Sequence, residues 1–517
     1  MHHAKKKRSI LSLVALTAAA ALLLSACAST KSASTEPVTR VKGGTLRIAY
    51  FQDPASFDPA VTFFSPTTDG AYLTAIYSQL VQVDQDGKVT PDLALSVTSK
   101  DLLNWEIKLR PNVKFSDGTP LNAEAVKFNF ERYAQPTSTQ TFNAANKIAK
   151  TTAVDDVTVD VQLKSANGQF PTLLMQSLGM MVSPTAVKKS GADFGVHPVG
   201  AGPFMLTSRT PGSKVAFDRN PNYWDEGKPY LDKLLFTVQS DMDQSVLSFQ
   251  AGEADVWAGD NPTLVKRLVD AGFNAHKQPN IGGWGFLFNF NRAPTDDVRV
   301  RQALAYATDL TDWNAKVQSG NATIATSIFP EGNPLRTEVR QPLNDLKKAQ
   351  ALIDSYVADK GPVTLTINAT AGTFAKSAEV LQQQWSRLHG VTVKIEMAAL
   401  ALNAKKFAER DFQVTATGFF GIDPSWDMEG RFSSGSRTNF SGVADPGIDA
   451  LFKTAGNTLD LGERKKAYSE LEQKLWAIMP QIDLYYATTS VIGSSKVVGL
   501  NLYGPGYLKY QEIGFSK

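Results

Sequence analysis

The chain has 517 residues and is close to electrical neutrality, with 53 lysines and arginines against 50 aspartates and glutamates. Its formal net charge of +3 falls to about −1 without the N-terminal basic cluster Lys5–Arg8, so the remainder has no basic excess that would bind nucleic acid. Beyond the apolar run that follows this cluster, no apolar stretch is long enough to span a membrane.

The N-terminus has the pattern of a secretory signal peptide. The basic cluster is followed by an apolar run, Ile10–Leu24, which only Ser12 and Thr17 interrupt. This run is shorter than the ~20 apolar residues that a membrane-spanning helix needs. A basic start, a short apolar segment and small residues before position 27 predict a signal peptide over residues 1–26, and therefore an exported protein.

Cys27 is the one cysteine of the chain, so it cannot form an internal disulfide. Residues 24–27 read Leu-Ser-Ala-Cys and resemble a bacterial lipobox, which implies cleavage before Cys27 and a lipid on its sulfur. The alternative is an ordinary signal-peptide cleavage site, because Ala26–Ala28 also has small residues at the required spacing. Residues 27–40 are rich in Ser, Thr and Ala and are predicted to form a lipidated, flexible tether on the outer face of the cell membrane.

The first half of the folded region has clear strand and helix patterns. About 475 residues follow the tether, more than one hydrophobic core accommodates, so two or three domains are expected. Trp105–Arg110 and Val157–Leu163 alternate apolar and polar residues and predict half-buried strands. Asn122 is the expected N-cap of a helix that continues to Tyr133.

The second half contains a strand–helix–strand pattern. Val363–Ile367 and Val391–Ile395 alternate as strands, and Ala375–Leu388 between them has helical periodicity. Strands that alternate with helices predict a mixed α/β sheet. Arg464–Met479 is a further predicted helix that ends before Pro480, and a closing strand is expected at Gln481–Tyr486.

Nine short motifs follow one another along the mature chain. The motifs are Gly43–Leu46, Ser56–Ala60, Ile76–Val81, Pro91–Ala94, Trp105–Arg132, Pro198–Phe204, Asn220–Trp224, Gly252–Asp255 and Val300–Ala307. In sequence, order and spacing they resemble the solute-binding proteins of peptide and nickel ABC importers, known as family 5. The resemblance covers nearly the whole mature chain.

The resemblance implies a two-lobed, periplasmic-binding-protein-like α/β fold with mixed sheets, two crossings between the lobes and an extra inserted domain. Lobe one would comprise residues 41–66, 196–277 and 479–517, with the inserted domain at 67–195. Lobe two would run from 278 to 478. Gly200–Pro203 would be a tight backbone crossing near the hinge, and the lobes would close over a ligand.

The function implied by the resemblance is that of a substrate-binding lipoprotein of an ABC importer. It would capture a small solute (a peptide, an oligosaccharide or another organic solute) and deliver it to the permease subunits. We expect a monomer on the extracytoplasmic side of the membrane or in the periplasmic space. No cofactor, metal ion or catalytic residue is expected.

The ligand site is predicted to be mostly aromatic, as buried small-molecule sites commonly are. The predicted ligand-binding residues are Phe63, Trp257, Trp284, Phe419, Phe420, Asp423 and Trp426. For each aromatic residue the alternative is a place in the hydrophobic core. For Asp423 the alternative is a structural role in the turn before Pro424.

The segment Gly418–Asp427 departs from the pattern of peptide-binding relatives. Those relatives have Gly-Trp here, followed by an aspartate that pairs with the α-amino group of the peptide. In this chain Phe419 replaces the tryptophan, Ile422 occupies the position of the aspartate, and Asp423 comes one residue later. A one-residue shift in an extended segment reverses the direction of a side chain. We therefore expect the aromatic residues to contribute more to affinity than any charge.

Two other classes of function share parts of this pattern. A ligand-binding sensor that signals to a membrane receptor would have the same sequence features. A hydrolase is the other alternative, but the mature chain keeps only His197, His276 and His389, and it has no nucleophile, phosphate-loop or metal-binding motif. Asp84–Gly87 is expected to be a hairpin turn, because no further cation ligands follow it at the needed spacing.

Overall fold

A computed structural model describes residues 40–54, 56–62, 64–66, 68–84, 87–138, 141–425 and 427–517. The predicted signal peptide, the tether up to residue 39 with Cys27, and the predicted site residues Phe63 and Trp426 lie outside these residues. The described part of the chain builds two large apolar cores and one small core. The expectation of more than one domain core is met.

The strands are numbered along the chain. They are β1 (Arg40–Val41), β2 (Thr45–Tyr50), β3 (Val81–Val83), β4 (Val89–Pro91), β5 (Ala94–Ser99), β6 (Asn104–Leu109), β7 (Ile148–Asp155), β8 (Thr158–Leu163), β9 (Phe204–Thr210), β10 (Lys214–Arg219), β11 (Lys233–Val238), β12 (Val256–Gly259), β13 (Ala275–Phe288), β14 (Val363–Ala369), β15 (Val391–Met397), β16 (Val414–Gly418), β17 (Gln481–Gly493), β18 (Val497–Val498), β19 (Leu502–Tyr503), β20 (Tyr507–Leu508) and β21 (Gly514–Ser516). Short strands at both ends of the chain pair with each other in the order β1-β21-β18.

The helices are numbered in the same way. They are α1 (Gly70–Ile76), α2 (Ala123–Tyr133), α3 (Phe142–Ala145), α4 (Phe170–Leu173), α5 (Pro184–Ser190), α6 (Met242–Gln250), α7 (Pro262–Asp270), α8 (Val298–Tyr306), α9 (Leu310–Gln318), α10 (Leu346–Lys360), α11 (Thr373–Trp385), α12 (Leu400–Ala408), α13 (Asp427–Phe432), α14 (Pro446–Gly456) and α15 (Leu461–Ile478). Within the described ranges, no helix combines the length and the apolar composition that crossing a bilayer requires.

A ten-stranded mixed sheet runs through both lobes in the order β15-β14-β16-β13-β17-β12-β2-β11-β10-β9. In lobe one, β2 is parallel to β11 and β12. In lobe two, β14 is parallel to β15 and β16, whereas β13 pairs antiparallel with β16 and β17. The predicted two-lobed α/β architecture with mixed sheets is therefore confirmed.

The chain passes between the lobes in two long strands that lie side by side. β13 and β17 pair antiparallel from Ala275 opposite Ile492 to Leu287 opposite Gln481. A Cβ atom on Gly283 would lie 1.9 Å from the carbonyl oxygen of Tyr485, so glycine is needed where the strands approach and their register shifts. The predicted boundaries stay predictions; that between residues 277 and 278 falls inside β13.

Gly200–Pro203 does not lie at these connections, so the expectation of a hinge there is wrong. A Cβ atom on Gly200 would lie 2.3 Å from the carbonyl oxygen of Ile76, and one on Gly202 would lie 2.4 Å from the carbonyl carbon of Ile76. The glycines allow this segment to pack against the end of α1. The close approach is real, but it joins two parts of the first core and not the two lobes.

The segment predicted to form the inserted domain, residues 67–195, which we continue to call the inserted domain, contains a four-stranded antiparallel sheet in the order β5-β6-β8-β7, with α2 beside it. Its apolar residues belong to the same continuous core as those of lobe one, including Ile107 and Phe130 from the domain and Phe236 from β11. Because the two parts share one core, we expect them to behave as one rigid unit facing lobe two.

Elements read from local patterns occur where they were expected. β6 and β8 match the two alternating segments, and the Asn122 side chain accepts a hydrogen bond from the Ala125 amide at the start of α2. The β14-α11-β15 unit is formed with parallel strands. α15 ends at Ile478, and β17 follows Pro480. β3 and β4 pair as the hairpin predicted around Asp84–Gly87.

Candidate functional site

A cavity of about 660 Å³ lies between the lobes, and we call it the cleft cavity. The inserted domain of lobe one contributes Thr68, residues around α3 and Leu173. Lobe two contributes Trp284, one face of α12, the end of β16 and residues from α13 to Phe440. The walls are largely apolar, with a few polar and charged side chains at defined places, which is the composition of small-molecule sites in general.

The end of β16 directs two neighbouring phenylalanines to opposite sides. Phe420 lines the cleft cavity, and its ring meets that of Trp284 edge to face at 5.1 Å between centroids. Phe419 is only 1 % exposed and packs in the core of lobe two against Gly282, where a Cβ atom would lie 2.1 Å from its ring. Successive residues of an extended chain face opposite ways, so only Phe420 of this pair reaches the cavity.

Trp284 is held in a fixed orientation at the cavity wall. Its indole Nε1 donates a hydrogen bond of 2.7 Å to Asp260 Oδ2, and the Phe374 ring packs edge-on at 4.9 Å. A Cβ atom on Gly418 would lie 2.7 Å from the indole, so the glycine leaves room for the ring. Burial raises the pKa of Asp260 to about 6, while the hydrogen bond from Trp284 acts in the opposite direction.

Asp423 is occupied by contacts within the protein. Its Oδ2 lies 2.6 Å from Arg464 Nη2, and its Oδ1 accepts the backbone N–H of Ser425 at 2.9 Å. Asp423 is not among the described residues that line the cleft cavity. The structure therefore places this carboxylate in the turn and in an ion pair with α15.

Asp427, which the sequence analysis did not select, lines the cavity at the first residue of α13. Its Oδ2 accepts the Phe420 N–H at 3.2 Å, and its Oδ1 lies 3.6 Å from Arg431 Nη2 one helical turn away. Burial raises the pKa of Asp427, and the positive charge of Arg431 opposes that shift. The sequence feature that could have identified Asp427 is its spacing of four residues from Arg431, which pairs an acid with a base at the start of a helix.

Trp257 lies away from the cleft cavity. It is 1 % exposed, belongs to the small third core with Val246 and Leu268, and donates its indole N–H to Ser245 Oγ at 3.0 Å. Of the seven predicted ligand-binding residues, the structure brings Trp284 and Phe420 together at the cavity. Phe63 and Trp426 fall outside the described residues.

Several side chains bridge the inserted domain and lobe two beside the cavity. Lys147 forms an ion pair with Glu429, and the Asn143 amide donates to Ser436 Oγ at 2.9 Å and to Thr438 Oγ1 at 3.0 Å. Arg437 of lobe two donates to the carbonyl oxygens of Pro136 and Ser138 in the inserted domain. These contacts join the two walls of the cleft, so a molecule held there would be enclosed from both sides.

The arrangement is suited to binding. In the described ranges, no cluster of three or more His, Cys, Asp or Glu side chains could hold a metal ion. The charged cavity residues are paired with each other. We find shape, apolar surface and oriented polar groups, which are the elements of reversible recognition.

Comparisons with known proteins give one consistent result. The profile of the bacterial extracellular solute-binding proteins, family 5 (middle region), matches residues 88–439. The glutathione-binding protein GsiB of Pectobacterium atrosepticum is 28 % identical over 461 residues, which covers 86 % of this chain and 89 % of that protein.

Two solved structures are similar over almost their whole length. AgaA of A. tumefaciens R10, in complex with agropinic acid, has a TM-score of 0.82 and 25 % identity, with 92 % of this chain and 99 % of AgaA covered. The murein tripeptide binding protein MppA of Escherichia coli has a TM-score of 0.83 and 22 % identity, with 93 % and 99 % covered. The similarity to MppA establishes the fold.

Proposed function

The chain belongs to the bacterial extracellular solute-binding proteins of family 5, and we propose that it captures a small organic solute between its lobes and delivers it to the permease of an ABC importer. The observation that carries this proposal is the cleft cavity of about 660 Å³, whose walls come from both lobes and are bridged by side chains. Family 5 proteins are transport binding proteins and not enzymes, so the hydrolase alternative is set aside.

The relatives support a solute of modest size without fixing its identity. Their names refer to glutathione, a murein tripeptide and agropinic acid, which are chemically different compounds. In this chain Trp284 and Phe420 would supply the apolar wall, and Asp427 with Arg431 would supply a polar floor. Aromatic rings contribute large buried areas and can pack on flat apolar faces of a ligand.

Capture between the lobes requires them to close over the ligand, and this closure can be measured. A ligand in the cleft would contact Trp284 on one side and α3 on the other. Because both contacts form only when the lobes are together, binding favours the closed arrangement. The mature protein should release its natural ligand on denaturation, and mass spectrometry would identify it. Re-addition of that ligand should reduce the radius of gyration measured by small-angle X-ray scattering. An unchanged radius at saturating ligand would contradict capture by closure.

We further propose that Cys27 carries the lipid that anchors the protein at the extracytoplasmic face of the cell membrane. The proposal rests on the Leu-Ser-Ala-Cys sequence at 24–27 and on the absence of any other cysteine from the chain. Cys27→Ser should move the protein from the membrane fraction to the soluble fraction, since stable attachment depends on acyl chains. Ser29→Ala is the matched control and should remain with the membrane. Retention of Cys27→Ser in the membrane fraction would refute lipid anchoring.

A further inference from the structure

The charges of the cleft cavity are balanced. Among its described lining residues, four carry charge, and they form two pairs: Lys147 with Glu429, and Arg431 with Asp427. Each charge therefore already has an opposite partner inside the protein. A ligand with an ammonium or carboxylate group would have to break one of these pairs or remain unpaired in a partly apolar site, and both are unfavourable.

Four buried polar atoms of cavity residues have no hydrogen-bond partner in the described part of the protein. They are Thr68 Oγ1, Asn403 Oδ1, Ser425 Oγ and Arg431 Nε. Ser425 and Arg431 are only 5 % and 6 % exposed, so water has little access to them. Buried polar groups in folded proteins almost always have partners. Four of the sixteen such atoms in the described residues belong to residues that line this one cavity, and a ligand there would supply their partners once these side chains turn toward it.

The chemistry of these four atoms is mixed. Asn403 Oδ1 only accepts a hydrogen bond, Arg431 Nε only donates one, and the two hydroxyl oxygens of Thr68 and Ser425 can do either. Their residues come from the inserted domain, from α12 and from the floor of lobe two, so they belong to different walls of the cavity. A hydroxyl group is an uncharged group that both donates and accepts. Several hydroxyl groups on one ligand could satisfy all four atoms without bringing in charge.

The remaining wall fits the same class of ligand. Trp284, Phe420, Phe407 and Phe142 line the cavity with aromatic rings. Pyranose rings have polar edges of hydroxyl groups and apolar faces of C–H groups. The faces would pack on aromatic rings while the edges reach the polar atoms. The volume of about 660 Å³ is within the usual range for small-molecule sites and exceeds the space that a single sugar ring needs.

We propose that the solute is an uncharged, hydroxyl-rich molecule of the carbohydrate class, that is, a short oligosaccharide or a glycoside. The inference rests on the proposed function and specifies its ligand. A zwitterionic peptide needs partners for both terminal charges, and the described cavity offers only ions that are already paired. A cationic ligand bound by Asp427 in place of Arg431 is the competing possibility, and the test separates the two.

The test uses the mature protein and two measurements. Ligand released on denaturation is identified by mass spectrometry, and calorimetry measures binding of neutral probes (cellobiose, cellotriose, maltotriose, mannobiose) against charged probes (trialanine, glutathione, trilysine). We expect the released ligand to be uncharged and polyhydroxylated, and at least one neutral probe to bind. A released ligand with an ionised group, or binding of trialanine or trilysine that Asp427→Asn abolishes, would overturn the inference and leave solute capture intact.

Two serine variants distinguish a ligand contact from a structural one. Ser425→Ala removes a hydroxyl that has no partner among the described residues, so affinity for the neutral ligand should fall by about tenfold while the melting temperature is unchanged or higher. Ser441→Ala removes a fully buried hydroxyl that donates a hydrogen bond of 2.9 Å to Asn439 Oδ1. Neither residue is among the described residues that line the cavity. It should lower the melting temperature and leave affinity unchanged. Unchanged affinity in Ser425→Ala would contradict the assigned role. If no ligand is released and no probe binds, both this inference and the proposed function fail.

Discussion

Arg437 is the side chain whose removal should most directly weaken closure of the lobes. It lies in lobe two after α13, and its Nη1 donates to the carbonyl oxygens of Pro136 and Ser138 in the inserted domain, each at 2.8 Å. Its guanidinium carbon lies 3.4 Å from the centroid of the Phe142 ring. All three partners lie across the cleft, so these contacts exist only when the two walls are together.

The expected effect follows from the kinds of contact that are lost. Hydrogen bonds from a charged donor contribute about 1.5–3 kcal/mol each, and a cation–π contact at a partly exposed site about 0.5–1 kcal/mol. Arg437 is partly exposed, so water replaces part of what Arg437→Ala removes. We expect a net destabilisation of the closed form by about 2 kcal/mol, which corresponds to roughly thirtyfold weaker ligand binding.

Calorimetry with the released natural ligand measures this change, and small-angle scattering reports the fraction closed. Arg340→Ala is the matched control, because Arg340 also donates to two backbone carbonyl oxygens, those of Thr337 and Val339, but within lobe two. The control should bind within about twofold of the unmodified protein, because no contact between the lobes is lost. If Arg437→Ala binds as tightly as Arg340→Ala and has the same radius of gyration when liganded, the bridging contacts do not stabilise closure.

Further predictions concern the cavity wall and the buried acids. Trp284→Ala or Phe420→Ala should weaken ligand binding by roughly thirtyfold, as measured by calorimetry. Asp423→Asn should change affinity little, but it should lower the thermal stability measured by unfolding, because the partner of Asp423 is Arg464. The pKa of Asp483 is raised by burial from 3.8 to about 7, so the folded state binds this proton more tightly than the unfolded state. Stability should therefore fall as the pH rises from about 4 to 7, by on the order of 1 kcal/mol per pH unit for such a group. Asp483→Asn should flatten that dependence in thermal unfolding; an equally steep profile would refute it.

Local sequence patterns determined the regular elements. The alternation at Trp105–Arg110 and the Asn122 cap specify β6 and the start of α2 from neighbouring residues alone, and both form as predicted. The order of short motifs was enough to identify the family and the mixed two-lobed fold. These features are set by interactions between residues near each other along the chain, or by motif order along its length, so a single sequence contains them.

The ligand site was decided by the tertiary structure. The sequence showed aromatic residues at 257, 284, 419 and 420, but not which of them would face the core and which the cleft. Asp423 is paired with Arg464, 41 residues away, and Arg437 reaches Pro136, 301 residues away. These partners are brought together only when the strands that connect the lobes have paired and the cores have packed. Hydrophobic periodicity predicts which side of an element is apolar, but in an irregular segment such as Gly418–Asp427 the direction of each side chain depends on which distant residues pack against it.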